Sequence, residues 1–255
     1  MKLLRRGLEV LQHCIPDART GTAVLAYHLV GAGTHAVVDV PLDEFRRQLD
    51  WLVSECEVVS LDAALVASPA TNKKRVLLTF DDAFRNFRER AWPELSARRL
   101  PAVLYVPVAF VRGQAPSPLT GAPLPALSMP ELMELSRDGL TIGSHSVSHR
   151  NLRRLSAAEV ARELGESRQI LEQELAVRVD SFCYPQAKLN RRISNLARQH
   201  YRTAVSAGGR PFRNGSLLSI PRFPVRQGEP HFARMVRSSL WMPESMAHQL
   251  RQFKA

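Results

Sequence analysis

Val76-Leu77-Leu78-Thr79-Phe80-Asp81-Asp82 and Leu140-Thr141-Ile142-Gly143-Ser144-His145-Ser146-Val147-Ser148-His149 each run from apolar residues straight into groups that do chemistry. A short apolar run bounded by polar or turn residues has the pattern of a buried strand. Helix-like segments follow both. Strands alternating with amphipathic helices indicate a parallel sheet with helices outside it, either a closed barrel or an open doubly wound sheet. Both architectures present functional residues at the C-terminal ends of strands, where Asp81, Asp82, His145 and His149 fall.

The same alternation extends outward. Ala23–Leu29 reads as a strand ending near His28, and Leu42–Val53 as a helix with Phe45, Leu49 and Leu52 on one face. Further strands are expected at Val58–Leu61, Val76–Phe80, Ala102–Val106, Leu140–Ile142, Ser181–Tyr184, Arg202–Val205 and Leu217–Ile220. Helices are expected at Phe84–Ala97, Pro130–Arg137 and Ile193–Gln199. Ala157–Leu175 is the clearest helix: Ser156 and Glu159 form a capping box, and Val160, Leu164, Leu171 and Leu175 share a face. Arg112–Ser128 contains Pro116, Pro118, Pro123 and Pro125 and should be a long irregular loop on the rim that carries the polar strand ends.

The 255 residues comprise 35 Lys and Arg against 24 Asp and Glu, a net charge of +11. Such a charge attracts anions without choosing among them. No zinc-finger spacing, aromatic ribonucleoprotein motif or dense basic tail accompanies it, so nucleic acid is not an expected partner. Cys14, Cys56 and Cys183 are odd in number and lack a C-x-x-C pair, which suits free thiols in a reducing compartment. Over Met1–Ile15, Leu4, Leu8, Leu11 and Ile15 form an apolar stripe beside Lys2, Arg5 and Arg6. The charges deny this segment the apolar core of a signal peptide. Residues 1–20 therefore read as an amphipathic extension, packed on the barrel or lying on an anionic membrane. A single catalytic domain follows over 21–255, and Met235–Leu250 within it repeats the helical period. A cytoplasmic location is expected, with peripheral contact at the inner membrane face as the alternative; oligomeric state is not legible.

One carboxylate and two imidazoles can hold a divalent transition metal while leaving positions open for water and substrate. Neighbouring strand residues point to opposite faces, so Asp81 and Asp82 converge only if the chain turns there. His145 and His149 share a face if their segment is helical, or converge from a loop. Asp82, His145 and His149 then form the ligand set, which suits zinc foremost and also iron, cobalt or nickel. Asp81 is left to act as a base toward metal-bound water, and His28 is the candidate acid for a leaving amine. The same ligand set serves non-haem oxygenases, in which a spare base beside the metal has less use.

Thr79-Phe80-Asp81-Asp82 together with His145-Ser146-Val147-Ser148-His149 resembles the NodB-homology polysaccharide deacetylases. The likeness runs from Tyr27-His28 through Phe182-Cys183-Tyr184-Pro185 to Ile220-Pro221-Arg222, and is greatest to the exopolysaccharide-associated branch with the early Tyr-His motif. It implies a single-domain α/β fold, a distorted (β/α) barrel with fewer than eight strands. It implies metal-dependent removal of acetyl groups from a glycan or lipid-linked sugar in bacterial polysaccharide biosynthesis. It also implies Asp81 as base, His28 as acid, Asp82, His145 and His149 as metal ligands, and Tyr184, Pro185 and Arg222 as substrate contacts, with the Tyr184 N–H facing the oxyanion. Two departures stand out: Ala83 where the family has glycine, and Tyr184-Pro185-Gln186-Ala187 where it has Tyr-Pro-Tyr-Gly. They leave a non-catalytic carbohydrate-binding relative as the other reading.

Overall fold

Strand β1 (Thr22–Tyr27) pairs in parallel both with β5 (Lys74–Asp81) and with β10 (Ile220–Pro224), and this double pairing closes the sheet. The computed structural model describes residues 21–66, 73–119, 124–208, 212, 216–228 and 232–238. The expected 1–20 extension, Cys14, residues 120–123 of the proline-rich loop and the part of Met235–Leu250 beyond Ser238 lie outside them. The ring runs β1-β10-β9-β8-β7-β6-β5, a closed barrel of seven parallel strands. Its other staves are β6 (Ala102–Val106), β7 (Thr141–Ser144), β8 (Ser181–Cys183) and β9 (Thr203–Ala207). Outside it, β4 (Cys56–Val58) pairs with the start of β5, and β2 (Leu29–Val30) pairs with β3 (Asp39–Val40).

Eight α-helices are described: α1 (Leu42–Glu55), α2 (Leu61–Leu65), α3 (Trp92–Ala97), α4 (Val108–Val111), α5 (Met129–Arg137), α6 (Ala157–Leu175), α7 (Arg191–Ala197) and α8 (Phe232–Ser238). Period-two alternation sorts the strand side chains between two cores. Val24, Leu77, Val103, Tyr105, Cys183, Val205 and Ile220 form one cluster within the barrel. Ala23, Leu25, Val76, Leu78, Phe80 and Leu104 belong to the other, against the helices. There Tyr27 stacks on Phe80 with centroids 5.2 Å apart, and both meet Phe45 of α1 edge-on. No described helix is long and apolar enough to cross a membrane.

Some boundaries differ from expectation for identifiable reasons. The expected strand Val58–Leu61 divides into the end of β4 and the start of α2, because Ser60 caps that helix by accepting from the Ala63 N–H. The expected strand Leu217–Ile220 is instead a turn leading into β10, with the Ser219 N–H bonded to the Ser216 carbonyl at 3.1 Å. The helical run over Phe84–Ala97 begins as a π turn, Phe87–Ala91, before α3. Pro93 has no N–H for an i→i−4 bond to Glu89, and the chain widens just ahead of it. The short helix α4 was not expected, since an all-apolar four-residue run has no period to read.

Candidate active site

Along β5, Leu77 and Thr79 face the barrel interior, and Asp81 continues that face at the strand's C-terminal end. Strict alternation would send Asp82 outward. Positive φ at Asp82 (74°) and Ala83 (52°) turns the chain instead and brings both carboxylates to one mouth. Ala83 therefore occupies a conformation that suits glycine, at a cost of about 1–2 kcal/mol for a residue with a Cβ. The histidines arrive from β7, where Gly143 is required: a Cβ there would sit 2.4 Å from the Tyr105 ring. Beyond Ser144 the chain is a loop, not a helix, with positive φ at Ser146 (68°) and His149 (53°).

The two imidazoles meet Asp82. Its Oδ1 lies 3.6 Å from His145 Nε2 and 3.5 Å from His149 Nε2, and the rings are 4.7 Å apart. Two donors each about 2.1 Å from one tetrahedral ion would be roughly 3.4 Å apart, so these spacings fit a single metal. Asp82 Oδ1 is also buried without a hydrogen-bond partner. Burial first, then the Asp81 charge beside it, raises the Asp82 pKa well above the usual carboxylate range. A divalent cation removes both difficulties. Burial holds both histidines in the neutral, metal-binding form, lowering His145 to about 3 with the help of His149. His145 Nδ1 sits 2.8 Å from the Cys183 carbonyl, which orients the ring and leaves Nε2 for the ion.

A residue of α6 fixes the loop between these ligands. Glu163, buried on the inner face of that helix, accepts from the Val147 and Ser148 N–H groups at 2.9 Å and from the Ser148 hydroxyl. Nothing in the sequence separates Glu163 from the other acids of α6; only the packing of the helix against the loop reveals it.

Asp81 has a different environment from Asp82. Arg222 of β10 donates from Nη1 to Oδ1 and from Nη2 to Oδ2, both at 2.7 Å. Its guanidinium also reaches Thr79 Oγ1 and Cys183 Sγ at 3.0 Å, and lies over the Tyr105 ring. Burial alone would raise the Asp81 pKa; the Arg222 charge and its paired hydrogen bonds outweigh that and hold the carboxylate ionised. Two adjacent aspartates are thus driven in opposite directions, one anchored as an anion and one left needing a cation.

His28 occupies the break between β1 and β2, its Nε2 3.7 Å from Asp81 Oδ2. Burial lowers its pKa, Asp81 pulls upward, and Arg222 adds to the lowering. A cavity of about 260 Å³ opens over these groups, lined among others by His28, Asp81, Asp82, His145, His149 and Tyr184. Pro118 and Leu119 of the proline-rich loop also line it.

Three expected substrate contacts sit differently. Arg222 lines the cavity, but its terminal nitrogens are spent on Asp81, Thr79 and Cys183. Tyr184 lines it too, yet its N–H donates to the Val205 carbonyl at 3.2 Å and its hydroxyl to the Leu218 carbonyl, so the N–H is not free for an oxyanion. Pro185 is buried at the start of a 3₁₀ turn and lies outside the lining, which Gln186 and Ala187 supply instead. Those two residues hold positive φ, 56° and 55°, although neither is glycine. Cys56 and Cys183 are buried free thiols, as expected.

Comparison with known proteins places the chain in a family. A family model described as polysaccharide deacetylase matches residues 68–205. YxkH of Bacillus subtilis (strain 168), provisionally named a polysaccharide deacetylase, is 21% identical over 211 residues, covering 80% of this chain and 71% of its own. The Streptococcus pyogenes deacetylase PplD, solved in complex with acetate, superposes with a TM-score of 0.73 at 23% identity, covering 85% of this chain and 98% of that one. IcaB from Ammonifex degensii gives a TM-score of 0.70 at 21% identity, with 87% and 98% covered. With more than half of its length matched by the family model, and with the barrel shared, this chain belongs to the polysaccharide deacetylase family.

Proposed function

We propose that this protein is a metal-dependent hydrolase that removes acetyl groups, N-acetyl foremost, from a glycan or lipid-linked sugar in bacterial polysaccharide biosynthesis. The observation that carries this reading is an Asp82–His145–His149 triad set beside a carboxylate, Asp81, held ionised by Arg222. A divalent ion in the triad, zinc by the chemistry of its donors, would acidify a water and polarise the acetyl carbonyl. Asp81 takes the proton from the attacking water as oxygen adds to the acetyl carbon. His28 faces the same cavity and gives a proton to the amine as the carbon–nitrogen bond breaks, leaving acetate and a free amino sugar. Arg222 keeps Asp81 aimed and charged between turnovers. The complex of PplD with acetate is consistent with an acyl product of this kind.

Acetate release from N-acetylated chitooligosaccharides and poly-N-acetylglucosamine tests the reading. Wild-type protein should release it. Asp81→Asn should retain metal and lose turnover, and His145→Ala should lose both. Equal metal loss in both variants would overturn the assigned roles. Retained metal without any turnover would leave a carbohydrate-binding relative.

A further inference from the structure

Two connections flank the cavity mouth. One leads from β7 to α6 and carries Arg150, Arg153 and Arg154 directly after the lining residue His149. The other leads from β8 into the first turn of α7 and carries Lys188, then Arg191 and Arg192 at the start of that helix, after the lining residues Gln186 and Ala187. Both follow the C-terminal ends of neighbouring staves, and they touch, since Arg192 Nη2 donates to the Leu155 carbonyl at 2.8 Å. All six cationic residues are exposed.

The sequence around them is emptied of acid. No Asp or Glu occurs between Asp138 and Glu159, and none between Asp180 and Glu229, a span that holds nine Lys and Arg. Several arginines elsewhere are matched to carboxylates, as in Arg46–Glu94, Arg88–Glu134 and Arg98–Asp50. Among the described residues, Arg150 alone on this shelf has a carboxylate within 4.0 Å, Glu159 at 3.8 Å. Arg153, Arg154, Lys188 and Arg191 have no carboxylate partner among the described residues. A cleft edge of one sign concentrates ligands of the other. Guanidinium groups match phosphate oxygens in paired hydrogen bonds, whereas an uncharged sugar gains nothing from such density.

We infer that this shelf receives a phosphate or diphosphate group carried by the sugar substrate, so that the protein favours phosphorylated over uncharged glycans. The inference rests on the hydrolase reading for the sugar but not for the anion site itself. It makes the two connections specificity elements and leaves the metal ligands and Asp81 to the chemistry.

The test compares N-acetylated chitotetraose with the same tetrasaccharide bearing a reducing-end α-phosphate, by kcat/KM on wild-type protein and by calorimetric binding to Asp81→Asn. We expect a preference for the phosphorylated sugar of about tenfold at low ionic strength, falling toward unity in about 0.5 M salt. Arg153→Ala/Arg154→Ala and Lys188→Ala/Arg191→Ala should each remove most of that preference. Arg90→Ala/Arg137→Ala, a control with equal charge change at exposed arginines off the shelf, should not. Equal kcat/KM and equal Kd for the two sugars would overturn the inference while leaving the hydrolase intact. Tighter binding of the phosphorylated sugar with turnover of neither would sustain the anion site and sink the hydrolase. Vesicles of phosphatidylglycerol identify the source: binding to them and not to the phosphorylated sugar would overturn a substrate role in favour of a membrane contact.

Discussion

Arg222 holds both carboxylate oxygens of Asp81 at 2.7 Å, from a position 141 residues further along the chain. Removing the guanidinium leaves burial as the dominant influence on Asp81, and burial favours the neutral acid. A base must be ionised to act, so the acid limb of the kcat/KM profile should move to higher pH in Arg222→Lys and further in Arg222→Met. Turnover near neutrality should fall by about 10²-fold or more. An acid limb unchanged in folded, metal-loaded variants would show that Arg222 does not set the charge of Asp81.

Glu163 should act on metal retention before it acts on fold. Glu163→Leu removes the acceptor for three donors of the Ser146–Ser148 loop and should weaken metal binding by about 10–100-fold in chelator competition. Glu163→Gln keeps an acceptor for the two N–H groups and should recover most of that affinity. Equal affinities in both variants would count against a positioning role.

His28 can be probed through the leaving group. An amine leaves only with a proton, whereas a nitrophenolate leaves without one. His28→Ala should therefore lose about 10²-fold or more on an N-acetyl sugar and much less on 4-nitrophenyl acetate. Equal loss on both substrates would remove His28 from the role of acid.

Ala83 should tolerate glycine unusually well. At φ +52° the change relieves about 1–2 kcal/mol of left-handed strain, which offsets the loss of a buried methyl and the greater freedom of glycine in the unfolded chain. Ala197→Gly, equally buried but in the ordered helix α7, has no such relief and should cost about 1–2 kcal/mol. Denaturant melts that gave the two variants the same loss would contradict the strain at Ala83.

Glu131 provides a pH signature of stability. Burial opposes its ionisation, but the Ser128 N–H and hydroxyl and Arg88 prevail, and its pKa is lowered. A lowered carboxylate stabilises the fold above its unfolded pKa, near 4.5, and that contribution is lost as pH falls through the folded value. Glu131→Gln should be less stable than wild type by about 1 kcal/mol at pH 7 and should approach it near pH 3. A constant difference across that range would place the effect elsewhere.

The barrel and most of its site were readable in the residues because both rest on local pattern. Ala157–Leu175 begins and ends where the capping box and the apolar period put it, and Asp81, Asp82, His145 and His149 meet as their strand-end positions imply. What escaped was set by tertiary contact. The 3₁₀ turn at Pro185 and the bond from the Tyr184 N–H to Val205 depend on how β8 meets β9. The clasp of Arg222 on Asp81 depends on alternation along two strands distant in sequence. β10 begins where the expected strand Leu217–Ile220 ends, and it carries Pro221 and Pro224, residues that rarely sit inside a strand.

Closure through β1, β5 and β10 also bears on when the protein becomes able to act. During synthesis Asp82, His145 and His149 all emerge well before β10, so the residues that would gather a metal precede the one that charges the base. Arg222 lies in the last of the described strands and Asp81 in the fifth, and neither clasps the other until the ring is shut. A nascent chain, or one cleaved ahead of β10, carries the ligand residues without a poised carboxylate beside them. On the proposed reading, the carboxylate meant to act as base gains its arginine partner only after β10 has been made.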